Sequence, residues 1–183
     1  MIRSALPLAA LALALAACGE AQDPQPVETE AADRFADARL IVNANGIAGA
    51  SEESAMVLRF GSPRADVERM AEAAWGSAGE ISRQEECGAG PMDTAAYGPL
   101  KLLFLDDKFS GWFLDGGEGV VTADGIRVGA TLDALKSERQ VREIDSTLPG
   151  EFDYTSGDFG TIGGFAPEGT ITSLHAGVTC FFR

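Results

Sequence analysis

The sequence predicts an α+β fold, a mainly antiparallel sheet with one or two helices packed on it. Three observations carry that prediction. From residue 100 onward, strand-length apolar runs follow one another with only tight turns between them, and strands joined that way pair antiparallel. One segment, 63–75, repeats its apolar residues at helical spacing. A composition of 45% hydrophobic and 23% charged residues is that of a globular protein, which excludes wholesale disorder, a coiled coil and a collagen-like fibre.

The chain opens with MIRSALPLAALALALAAC, one positive residue (Arg3) followed by an apolar run at 6–17 and then Cys18. The run is too short to span a bilayer, which takes ~20 residues, and fits the core of a secretory signal peptide. Leu15, Ala16, Ala17 and Cys18 resemble the lipobox of bacterial lipoproteins. That resemblance implies a signal peptide at 1–17 cleaved after Ala17, and a diacylglycerol thioether on Cys18 with acyl chains such as palmitate. Each buried methylene contributes ~0.8 kcal/mol, so several chains anchor the protein firmly to a membrane. Gly19 in place of aspartate resembles the family's signal for the outer membrane, facing the periplasm. The competing reading is an ordinary signal peptide cleaved near residues 14–16, with Cys18 left as a free thiol.

Segment 18–39 reads as the lipidated cysteine and an acidic tether. Glu20, Asp23, Glu28, Glu30, Asp33 and Asp37 stand against two arginines, with Pro24 and Pro26 among them. Such a stretch buries too little apolar area to offset its ordering entropy, and predicts a solvated spacer. Recognition of a basic partner is its alternative role. Residues 40–54 read as a transition that opens with a short strand at 40–42, and the globular domain is placed at 55–183.

Within that domain, AMVLRF from Ala55 predicts a strand. Ser62 suits an N-cap, Pro63 the first helical position and Gly76 the stop. Val67, Met70, Ala71, Ala74 and Trp75 form one apolar stripe, so this helix face lies on the sheet and Trp75 reads as core, with stacking on a ligand as its alternative role. The runs 100–105 and 108–114, separated by Asp106 and Asp107, predict a β-hairpin. Strands are further predicted at 120–122, 126–128, 141–144, 152–155, 159–165, 171–176 and 178–182. A short helix at 131–136, capped by Thr131, interrupts them.

Leu58-Arg59-Phe60-Gly61 before the first helix parallels Ile126-Arg127-Val128-Gly129 before the second, at an offset of 68 residues. Two tandem strand, helix and hairpin units, 55–122 and 123–183, are one reading of this likeness, and chance is the other. The segment TADGIRVGATLDAL, 122–135, resembles the strand, glycine and capped-helix element of small periplasmic lipoproteins of the outer-membrane assembly type and of the β-lactamase-inhibitor-like repeat. The resemblance implies helices packed on a small antiparallel sheet and a role in binding other proteins. It assigns no functional residue.

A formal net charge of −14, from 28 acidic against 14 basic residues, excludes nucleic acid as a partner, because phosphate binding needs a basic footprint. With Cys18 lipidated, Cys87 and Cys180 are the remaining thiols in an oxidising compartment, and a pair is what one disulfide needs. Joining them closes a loop of 93 residues, worth up to ~4–5 kcal/mol on the chain-entropy model. A metal pair and a redox-active thiol are the alternatives, and no C-x-x-C accompanies them.

Catalytic chemistry finds thin material. His175 is the only histidine, two positions from Ser173 in a predicted strand, with no G-x-S-x-G elbow beside them. Asp106, Asp107, Asp115 and Glu118 offer carboxylates for glycoside hydrolysis or oxygens for calcium, and otherwise read as turn residues. No cofactor is implied. In 108–114, Phe109, Gly111 and Phe113 alternate with Ser110, Trp112 and Leu114, so both faces carry apolar groups. Either both are covered, or the face with Trp112 is an interaction surface. The expectation is a lipid-anchored cell-envelope protein that binds another envelope protein without catalysis. An envelope-polymer hydrolase working through carboxylates and a structural accessory lipoprotein are the alternatives.

Overall fold

A computed structural model describes residues 39–51, 54–157 and 160–181. The signal segment, Cys18, the acidic tether up to residue 38, Phe159 and Phe182 lie outside the described residues. What is described is α+β, with twelve strands and two helices among those residues.

The chain runs β1 (Leu40–Asn43), β2 (Gly46–Ser51), β3 (Ser54–Arg59), α1 (Arg64–Trp75), β4 (Glu80–Gln84), β5 (Met92–Tyr97), β6 (Leu100–Leu105), β7 (Lys108–Leu114) and β8 (Val120–Thr122). It continues through α2 (Leu132–Glu138), β9 (Val141–Glu143), β10 (Glu151–Thr155), β11 (Thr161–Phe165) and β12 (Ser173–Gly177). A small sheet has the order β3-β2-β1-β8, and a large one the order β4-β5-β6-β7-β12-β11-β10-β9. Every pairing is antiparallel except β1 with β8.

Within the segment read from the sequence as a transition, residues 40–43 and 46–51 form β1 and β2, and Ser54 opens β3. Leu40, Val42 and Ile47 are fully buried, and their alternation puts one face of β1 and β2 into the core. In α1, Val67, Met70 and Ala71 are buried while Ala74 and Trp75 pack half-buried against the same core. This helix touches β1, β2 and β3 of the small sheet and β5 and β7 of the large one, so it wedges the two together. Pro63, not Ser62, occupies its N-cap, without a side-chain cap, and Gly76 ends it in the left-handed conformation at φ 86°. Thr131 caps α2 as its sequence predicts, accepting a hydrogen bond from the Ala134 N–H at 3.2 Å.

The hairpin β6–β7 turns on Asp106 and Asp107, both at positive φ (48° and 56°), as a two-residue type I′ turn requires. Its register shifts between Leu103 and Phe104, leaving Ser110 as the extra residue, whose hydroxyl donates to the Leu103 carbonyl at 3.0 Å. That bulge breaks the simple alternation of the sequence. Phe109 turns into the core with Trp112 and Leu114, and Gly111 and Phe113 face the other way. The segment 126–128 forms no strand, and 178–181 does not extend the sheet.

The two helices are entered alike. Gly61 and Gly129 both have positive φ (91° and 94°), which glycine alone adopts without strain. Gly61 N–H donates to Phe109 O at 2.7 Å and Gly129 N–H to Ile171 O at 2.8 Å. The return bonds run from Phe109 N–H to Ser62 O and from Ile171 N–H to Ala130 O, both 2.9 Å. Arg64 N–H bonds Asp107 O at 3.0 Å, and Leu132 N–H bonds Gly169 O at 2.8 Å. After each helix comes a meander of four strands, and the meanders meet at the β7–β12 seam.

Candidate functional site

One face of the large sheet carries the main core. Tyr97, Leu100, Leu102, Phe104, Trp112, Leu114, Phe152, Tyr154, Ile162 and Leu174 share one buried cluster with residues from both helices and the small sheet. Strand alternation sends their chain neighbours to the opposite face, which no helix and no strand of the small sheet covers among the described residues.

At the centre of that open face, Phe113 of β7 lies directly opposite His175 of β12. Their rings stack 6.3 Å apart and 16° from parallel. Phe165 of β11 approaches His175 to 5.6 Å. His175 pairs across the strand with Gly163, and its ring lies against that glycine where a β-carbon would stand. Lys101 of β6 holds its ammonium 5.5 Å over the Phe113 ring and pairs with Asp115 at 2.6 Å. Phe113, Phe165 and His175 are half-buried.

The last described residues cross this face. Gly177 ends β12 at φ 77°, and the Val178 N–H bonds the Ser110 carbonyl at 2.8 Å. Val178 then passes so closely over Gly111 that a side chain there would collide with its carbonyl. Phe181 comes to rest on the aromatic group, with its ring edge-on to His175 (4.8 Å), Phe165 (5.2 Å) and Phe113 (5.7 Å). Between this segment and the strands is a crevice of about 230 Å³, lined in part by Thr94, Lys101, Phe113 and Thr179.

Cys180 packs against a separate small cluster of Cys87, Met92 and Leu103. Cys87 and Cys180 are free thiols in the structure and stand side by side. The hydrogen bond with Cys87 pushes the Cys180 thiol well above the usual cysteine range, with burial adding to it and the Gly88 N–H opposing it. The sequence separation of these residues hides a direct contact.

Trp112 is not an interaction surface. It is fully buried, and its indole N–H donates to the Asn43 carbonyl at 2.8 Å, tying the large sheet to β1. The apolar face that the alternation suggested is instead the one with Phe113. Phe165 and Phe181 were not singled out by sequence reasoning. Their signal was period-two alternation, which marks a face without saying whether it is covered.

The candidate catalytic groups are spread over the large sheet and its turns. Ser173 is buried, two positions from His175 on the same face, opposite Phe165, so the histidine sits in an aromatic wall. Asp106 and Asp107 lie at one end of β7 and Asp115 at the other, roughly 25 Å apart at ~3.3 Å per residue. Glycosidase carboxylates stand ~5–10 Å apart. Among the described residues no group of three His, Cys, Asp or Glu is placed to hold a metal ion, and no helix is long and apolar enough to cross a membrane. No protein-family model, no curated protein and no solved structure matches the chain.

Proposed function

We propose that the chain is a lipid-anchored cell-envelope protein that binds another envelope protein through the helix-free face of its large sheet. Cys18 carries the lipid, the acidic segment to residue 39 is the spacer, and the domain sits on the periplasmic side of the outer membrane. The observation that carries the binding role is the half-exposed aromatic group Phe113, Phe165 and His175 on a face that neither helix covers. Apolar groups gathered in that way favour a protein partner over a polar polymer.

The domain is further read as two tandem units, each a glycine entry, a helix and a four-strand meander. Supporting this, the three pairs of helix-entry hydrogen bonds repeat with an offset of 68 residues at the helix and 62 in the meander. The side-chain bond of Ser110 to Leu103 O at 3.0 Å has its counterpart in Thr172 to Phe165 O at 3.1 Å, at the same offset of 62. In this scheme Phe113 and His175 are equivalent positions. A disulfide between Cys87 and Cys180 completes the reading, and differing non-reducing and reducing peptide maps at these two residues are its check.

A photo-crosslinking residue placed at Lys101 or Thr161 on the open face, and at Asp133 on α2 as control, tests the binding role in living cells. Capture of one and the same envelope protein from the first two positions and not from the third is expected. No captured protein at either face position would leave a structural accessory as the better reading. Cys18→Ser is expected to release the protein from the membrane fraction, and unchanged fractionation would sink the lipid anchor.

A further inference from the structure

The open face already has an occupant, the protein's own C-terminal segment. Phe181 caps the aromatic group at 4.8–5.7 Å from three rings, so the surface that would meet a partner is partly filled. The segment belongs to neither sheet. Beyond Gly177 its described holds are the backbone hydrogen bond from Val178 to Ser110 O, the hydrogen bonds of the Cys180 thiol with Cys87 and the Gly88 N–H, and side-chain packing. A segment so held opens locally at low cost. Cys180 precedes Phe181 by one residue and lies against Cys87, which sits outside the strands in the connection between β4 and β5.

We propose that segment 178–181 is a removable cover of the aromatic face and that the Cys87–Cys180 pair is its latch. Closing the latch joins the two sulfurs, with two protons and two electrons passing to a small-molecule or protein disulfide, which leaves as two thiols. The bond fixes Cys180 one residue from Phe181 and holds the ring over Phe113, Phe165 and His175. A dithiol reverses the exchange to the free-thiol form, in which Phe181 still rests on the face but is no longer tethered, so the segment opens more often and an aromatic side chain of the partner can take the place of Phe181. This inference rests on the reading of that face as the docking surface.

His175 is the only histidine in the chain, so its two ring C–H protons give one assignable pair of NMR signals that reports on Phe181 directly. In purified full chain carrying Cys18→Ser, oxidised glutathione is expected to remove two hydrogens from the intact mass. Reduction with a dithiol is expected to move the His175 signal toward that of a solvent-exposed imidazole and to speed amide exchange at 178–181 by at least about tenfold. Cys180→Ser should match the reduced form under both conditions. Phe181→Ala should give the open-face signal even when oxidised, which separates the cover from the latch. No disulfide, or identical His175 signals and exchange rates in the two redox states, overturns the proposal. Crosslinking from Lys101 and Thr161, repeated with Cys87→Ser and Cys180→Ser together, should capture more partner. Equal capture with and without the cysteines refutes the latch and leaves the docking surface standing, whereas a working latch with no captured partner refutes the docking surface alone.

Discussion

Phe113 and Trp112 are chain neighbours on β7 that point to opposite faces of one sheet, Phe113 stacked on His175 and Trp112 bonded to the Asn43 carbonyl. The first belongs to the open aromatic face and the second to the core. Substitutions at this seam therefore separate stability from the proposed recognition.

Trp112→Phe removes the indole N–H and leaves the half-buried Asn43 carbonyl without it. The expected cost is about 1–3 kcal/mol in denaturant unfolding, from the unsatisfied acceptor and the lost volume. Phe113→Ser, on the other face, is expected to cost less stability and to reduce partner crosslinking from Thr161.

Gly163→Ala puts a methyl group where the His175 ring lies. Overpacking there is expected to cost about 1–3 kcal/mol and to shift the His175 NMR signal. Gly88→Ala, which meets nothing within 4 Å, serves as the near-neutral control for both readouts.

Thr131→Ala deletes a side-chain cap that accepts from Ala134 N–H, for an expected loss of about 1 kcal/mol in thermal or urea unfolding. Ser62→Ala is expected to stay within about 0.5 kcal/mol, because the helix it precedes has no side-chain cap.

Burial, reinforced by Glu72 and Glu68, pushes the Tyr97 phenol from 10.0 up to about 12. Burial and Asp124 push Tyr154 up as well. The folded state thus holds both protons more tightly than the unfolded chain. Stability from this source is full below pH 10 and is lost as pH rises toward 12, because the unfolded tyrosines ionise first. The unfolding free energy from urea titrations should fall across that interval, by at most about 1.4 kcal/mol per pH unit for each tyrosine. Tyr97→Phe and Tyr154→Phe should each flatten the slope, and a slope unchanged in both would refute the assignment.

Much of the domain was legible locally. The hairpin at Asp106 and Asp107, the stripe of α1, the Gly76 stop and the Thr131 cap each follow from a few neighbouring residues. The missed strands β2, β4 and β5 are poor in large apolar side chains, since GIAGAS, EISRQ and MDTAAY owe their pairing to neighbours in the sheet. Segment 126–128 looked like a strand and forms none, because Gly129 and Ile171 tie its end to the α2 entry.

The sequence by itself determined the class, α+β with an antiparallel sheet, because the turn residues and hydrophobic period that set it act over a few positions. It also showed a lipobox-like motif at 15–18 that predicts export and lipidation, an acidic stretch at 19–39 and the count of thiols. Only the tertiary structure decided which apolar face is covered. Trp112 and Phe113 look equally apolar along the chain, and what separates them is a one-residue bulge at Ser110 together with the side of the sheet on which α1, α2 and the small sheet pack. The meeting of Cys180 with Cys87 and of Phe181 with His175 was settled in the same way, by the path of the chain after Gly177 across a sheet whose central strands lie far apart in sequence.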